Sequence, residues 1–173
     1  DVDGRTRVGS LSYAIARALP EAAPGTSYRA LFAEVARALS GKVRQTPQGE
    51  GVLDARVFSD RLVAQQPYVE VGAVSEDGRF AVLSGGSLLG LNAGTRLLVH
   101  EAGATEPDPG SALATLVVRE SRPLEAVAEI TAGGLADGGA GRWAFIVARS
   151  YGDLATRVRL APGLPERDVE GLT

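Results

Sequence analysis

Tyr68-Val69-Glu70-Val71-Gly72-Ala73-Val74, then Ser75-Glu76-Asp77-Gly78, then Arg79-Phe80-Ala81-Val82-Leu83, reads as a strand, a turn and a second strand. The apolar runs are too short for helices and rich in β-branched and aromatic side chains. Glu76-Asp77-Gly78 supplies the backbone freedom of a hairpin turn. Working outward, residues 95–101, 112–120, 124–130, 143–149 and 155–160 are further runs of strand length, separated by Gly, Pro, Asp and Asn. Short strands at regular spacing predict an all-β barrel or sandwich over residues 67–165. Residues 103–110, with Pro107 and Pro109, form a surface loop, and residues 166–173, polar and without period, a tail.

Upstream of Pro67 the period changes. Leu11, Ala14, Ile15, Ala18 and Leu19 recur at helical spacing, with Gly9 and Ser10 before them and Pro20 to stop the helix. Thr26 or Ser27 can cap a second helix whose apolar stripe is Tyr28, Leu31, Phe32, Val35 and Leu39, ending near Gly41. A polar loop over residues 44–51 follows, then residues 52–58, read in part as a strand because of Val57 and Phe58. The domains expected are residues 1–60, a linker at 61–66, a β-rich unit at 67–165 and the tail.

Composition narrows the chemistry. The 173 residues are 45% hydrophobic and 23% charged, enough for one core or two small ones. Eighteen basic against 21 acidic residues give a net charge of −3, with the cations scattered singly, so no nucleic-acid footprint is expected. No apolar run approaches the ~18 residues of a membrane span, and a cytoplasmic protein is expected. With no Cys and a single His, this stretch holds no disulfide, thiolate metal site or cysteine nucleophile. The start at Asp1 and the absence of Met read as a fragment made by processing or truncation.

The candidate reactive groups are few. His100 has the chemistry of a general base if a partner such as Glu101 or Ser87 positions it, but at a strand end it reads first as a half-buried sheet residue. Neither a metal nor a cofactor is expected. The stretch Gly139-Ala140-Gly141-Arg142-Trp143-Ala144 formally fits a dinucleotide fingerprint, yet a strand follows it where a helix is required. Gly85-Gly86-Ser87-Leu88-Leu89-Gly90 lacks the Lys and helix of a phosphate loop, so both stretches read as turns. Trp143 reads as a barrel core or rim residue. Asp1 and Asp3 read as solvated terminal carboxylates.

Three landmarks in order carry a family resemblance. Gly4-Arg5 with Gly9-Ser10-Leu11-Ser12-Tyr13-Ala14, then Ser27-Tyr28-Arg29 with Leu31-Phe32, then Gln45-Thr46-Pro47-Gln48, together resemble the small-subunit half of a bacterial caspase-like cysteine peptidase of the metacaspase or orthocaspase type. The family often has Thr at Ser12 and Leu at Gly49. The resemblance covers residues 1 to about 58; residues 67–161 more loosely resemble the β-rich extension of some bacterial members, mainly in the stretch from Gly85 to Thr95.

The resemblance implies an α/β caspase-like half-domain, two helices plus a terminal strand completing a sheet from another chain, followed by the β-rich unit. It implies a cysteine endopeptidase cutting after Arg or Lys, with its His and Cys on an upstream large chain, so that this chain alone is inactive. Asp1 and Asp3 would then contribute to the wall of an acidic pocket and Arg5 would contact substrate backbone. The implied partners are the large-subunit chain and a protein substrate. The rival from another class is a non-catalytic protein-interaction module with a β-barrel binding domain, and a third is a ligand-binding β domain with a polar cleft. The rivals differ in residues 1–60: a self-contained core favours the module, whereas a sheet edge and apolar helix faces left open favour the peptidase.

Overall fold

The computed structural model describes residues 9–43, 47–135 and 139–151. Two helices, α1 (Ser10–Glu21) and α2 (Tyr28–Leu39), precede six strands: β1 (Val69–Val74), β2 (Phe80–Leu83), β3 (Arg96–His100), β4 (Ala114–Ser121), β5 (Ala126–Gly133) and β6 (Trp143–Ala148). The expected strand at 155–160 lies outside the described residues.

The strands close into an antiparallel barrel in the order β1-β2-β5-β4-β3-β6, with β6 returning to β1 through Val69↔Ala144 and Glu70↔Trp143. Closure removes free sheet edges. Alternate residues point inward: Val69 and Val71, Ala81 and Leu83, Leu97 and Val99, Leu116 and Val118, Ala126 and Ala128 form one buried cluster with Leu91 and Ala144. Leucine and valine share the interior with alanine, and this mixture of large and small side chains fills a narrow barrel without voids.

Two strands depart from alternation. The last four residues of β3 and the first three of β6 are buried on both faces, because the outer face of this pair is covered. Trp143 and Phe145 lie under Ala30 of α2, with Ala33, Tyr68, Ala102 and Ala104 packed around them. Trp143 is thus buried on the outside of the barrel rather than in its interior. Tyr68 stacks on it with ring centroids 4.0 Å apart. Burying two such aromatic side chains contributes roughly 1.5–3 kcal/mol each, and this contact anchors α2 to the sheet.

The helices pair through Ala14, Val35 and Leu39, with Ile15, Ala18 and Val43 at the margin. Ser27 caps α2, its hydroxyl accepting from the Ala30 N–H at 3.2 Å. Helix α1 starts from Gly9 without a side-chain cap and runs through Pro20 to Glu21, one residue past the expected stop.

The expected caspase-like half-domain is not what residues 9–63 form. Residues 52–58 make no strand; their bridges are the isolated pairs Ser27↔Arg56 and Ala55↔Leu62. The reason is local. The start of α2 takes the backbone of this segment for itself: Tyr28 N–H donates to Ala55 O, Arg29 N–H to Leu53 O, and Val57 N–H to Thr26 O. Arg29 then clamps Asp54 with two hydrogen bonds, at 2.7 and 3.2 Å. The segment wraps the helix N-terminus, reverses at Phe58 (φ +58°), and leads to the barrel. The helices rest on the chain's own barrel, and the described residues show no sheet awaiting completion by another chain.

Candidate functional site

His100 sits at the end of β3, 3% exposed, its ring edge-on to Phe145 at 5.6 Å. Its Nε2 accepts a long hydrogen bond, 3.4 Å, from the Asp108 N–H. Neither of the two residues proposed as partners is hydrogen-bonded to the His100 ring. The Glu101 carboxylate pairs with Arg142 at 2.9 Å, and Ser87 starts a short 3-10 turn whose N–H donates to Arg122 O. A general base needs a free nitrogen beside a reacting group. His100 instead ties β3 to the loop that follows it. Asp108 completes that tie: the Gly110 N–H and the Ser111 hydroxyl donate to its carboxylate and hold it below the usual carboxylate range.

The glycine-rich stretches are turns, and the N–H groups from Ser87 to Gly90 are spent within the chain. Ser87 and Leu88 donate to Arg122 O and Pro123 O, and Leu89 to Gly86 O, which leaves no cradle for phosphate. Gly86 is fixed by contact, since a Cβ there would lie 1.8 Å from Arg122 O. Gly141 donates to Val71 O as the chain enters β6. Asp1, Asp3 and Arg5, and Gln45 and Thr46 of the Gln45-Thr46-Pro47-Gln48 loop, lie outside the described residues. Among the described residues no three His, Cys, Asp or Glu side chains meet as metal ligands, and no helix is long and apolar enough to cross a membrane.

An open groove of about 1140 Å³ lies where the two helices meet residues 102–105 of the β3–β4 loop. Its floor is small and apolar, with Ala14, Ala18 and Ala30, and its walls carry Arg17 and Glu34. Arg17 is held by a hydrogen bond to Tyr13, which raises its already high pKa. Arg37 and Glu34 pair at 2.6 Å. The groove therefore offers an apolar floor edged by charged side chains, of which Glu34 and Arg37 pair with each other.

The helical half leaves large apolar side chains in water. Phe58 is 84% exposed, Val52 70%, Leu62 65% and Leu11 41%. Helical spacing marked Leu11 as core, and it is open here. Sequence reasoning missed the clamp formed by Arg29, Asp54 and Tyr68. Arg29's hydrogen bond draws the Asp54 carboxyl below its ordinary range, and burial pushes the Tyr68 hydroxyl up. Nothing in the spacing of those residues announces it, because the segment carrying Asp54 folds back by turns.

No known family model, curated protein or solved structure matches this chain.

Proposed function

We propose that this chain is the non-catalytic, small-subunit portion of a caspase-like cysteine endopeptidase. The catalytic His and Cys lie on an upstream polypeptide, cleavage falls after Arg or Lys, and the barrel binds or regulates. Asp1 and Asp3 stand at the wall of the acidic pocket and Arg5 beside the substrate backbone. One observation carries the reading: Ser10, Tyr13, Ala14, Ser27 and Leu31, which belong to the family landmarks, line one open groove between the two helices. Apolar side chains gathered at one surface mark a place where another polypeptide sits. The terminal strand that the resemblance implies is absent at residues 52–58, and the reading rests on the landmarks carried by the two helices.

The rival, a protein-interaction module without a catalytic partner, is favoured by a different contact, the seating of Ala30 on Trp143 and Phe145. The two readings separate in one experiment. Cells making the protein at its natural level are treated with a biotinylated peptidyl-arginine acyloxymethyl ketone, and the affinity-tagged chain is purified and weighed intact. Asp1–Thr173 has no Cys to accept the label. The peptidase reading expects label on a polypeptide continuous with this sequence upstream or bound to it. Recovery of the folded chain alone and unlabelled overturns it and leaves the module.

A further inference from the structure

The sequence has one histidine, His100, and one tryptophan, Trp143, and the fold sets them opposite each other in the pairing of β3 with β6. Both are buried, His100 at 3% exposure and Trp143 at 1%. The His100 ring rests edge-on against Phe145 and makes one hydrogen bond among the described residues, in which Nε2 accepts from the Asp108 N–H. A nitrogen that accepts carries no proton, so this arrangement takes the neutral ring with its proton on Nδ1. A proton added at Nε2 sets two donors against each other in a buried place, where an unpaired donor and a charge are both costly.

That bond holds more than its own loop. The β3–β4 connection to which Asp108 belongs reaches the helical half through its earlier residues. Ala102 and Ala104 pack around Trp143 and Phe145 together with Ala30 of α2. Gly103 (φ +103°) comes so near α2 that a Cβ there would stand 3.0 Å from the Ala30 Cβ. The Gln66 N–H donates to Thr105 O and the Gln65 amide to Ala104 O, which ties this part of the connection to the segment that follows the helices. Residues 102–105 are thus fastened to the helical half, and the His100 ring fastens the same connection to the barrel.

Few charges bear on the ring. Strand β6 presents Phe145 and Trp143 and helix α2 presents Ala30 and Ala33, all without charge. Arg29 of α2 is paired with Asp54, Glu101 with Arg142, and Glu106 is exposed. Asp108 is the carboxylate that senses the ring: the Gly110 N–H and the Ser111 hydroxyl hold it below the usual range, and charge on His100 acts in the same direction. Its oxygens are already committed to Gly110 and Ser111, so a protonated ring gains them only if the connection gives up its present shape.

We propose that His100 is an acid-released latch between the two halves of the chain. With the ring neutral the connection is fastened and α2 is seated. Protonation frees residues 102–108, α2 loosens from Trp143, and the groove between the helices loses the wall that Ala102, Gly103 and Thr105 give it. The closed form takes the neutral ring and the open form takes the extra proton, so falling pH shifts the population toward the open form. An imidazole ordinarily changes charge between about pH 5 and 8, above the range of free carboxylates. The latch concerns how this chain is joined to itself and does not rest on the peptidase reading.

The test uses the two unique side chains as probes. Trp143 emission and its quenching by acrylamide are followed in the full chain from about pH 8 to about pH 5, beside the His100 Cε1–H resonance and amide exchange. The expected result is emission at longer wavelength and stronger quenching, with the same midpoint as the ring's own titration. Amides of residues 102–108 and of the first turn of α2 should exchange roughly tenfold faster at the acid end, while β4 keeps its protection. His100→Gln, whose side-chain oxygen can accept the same N–H without titrating, should leave Trp143 unchanged across this range. The latch is overturned by a ring that titrates without moving Trp143, by a ring that stays neutral throughout, by the same Trp143 change in His100→Gln, or by β4 losing protection together with α2. Should His100→Gln fail to fold, agreement or disagreement of the two midpoints in the unaltered chain decides the question.

Discussion

The barrel and the helical half solve the same problem with unequal success. Residues 69–148 turn almost every inward side chain into a closed core, with Leu83, Leu97, Leu116 and Val118 fully buried. Residues 9–63 gather only Ala14, Val35 and Leu39 between two helices, and leave Phe58, Val52 and Leu62 in water. A closed sheet supplies both walls of its core, whereas two twelve-residue helices supply one layer and need another beneath them. The barrel also exposes Val82, Leu88, Leu89, Leu124 and Val147, all outside its interior. Apolar exposure in the helical half falls mainly on Val52, Phe58 and Leu62, in the segment that follows its two helices.

Substitutions can break or sharpen that contrast. The largest effect is expected at the seam: Trp143→Ala removes the ring under Ala30 and is predicted to cost about 3–5 kcal/mol. It should also free α2 from the barrel, seen as loss of amide protection in α2 while β4 keeps its own. Leu116→Ala, inside the barrel, should cost about 2–5 kcal/mol in denaturant unfolding and weaken all strands together. If Leu39→Ala in the helical pair cost as much as Leu116→Ala, the contrast would fail. Ser27→Ala deletes the cap of α2 and should cost about 1 kcal/mol, confined to the helical half.

The strands were the most legible part of the sequence, because period-two alternation and turn residues report directly on a sheet with one wet face. Where that assumption lapsed, in β3 and β6, the pattern misled: Trp143 and His100 are covered from outside by a helix and a loop that alternation does not encode. Both helices were legible from their spacing. The fate of residues 52–58 was not, since Val57 and Phe58 favour a strand while the ladder they would join is absent, and α2 captures their backbone instead. Of the candidate site, His100 and the glycine turns could be weighed from sequence. The open face of the helical half is a property of packing and had no signature in the spacing, which marked Leu11 for burial.

A smaller effect is expected from acid. Arg29's hydrogen bonds lower the Asp54 pKa in the folded chain, so the folded state binds that proton less readily than the unfolded one. The resulting stability is present above the unfolded carboxylate value, near ~3.9, and is lost as pH falls through the lower folded value. The pair is partly exposed, so its worth is at most about 1 kcal/mol. Asp54→Asn should flatten that acid limb of the unfolding curve while leaving neutral-pH stability within that margin. Phe58→Ser should leave the stability of the chain nearly unchanged, within about 0.5 kcal/mol, because the ring buries little. On the peptidase reading it should instead weaken recovery of the labelled polypeptide.

The most direct test of the contrast is hydrogen exchange of the full chain, resolved by peptide. Amides of β3, β4 and β5 are predicted to exchange only through global unfolding. Those of α1 should open at a free energy several kcal/mol lower, with the first turn of α2, seated on Trp143 and Phe145, in between. Protection in α1 equal to that in β4 would contradict the account, because a helical half that closes as firmly as the barrel needs no further polypeptide to complete it.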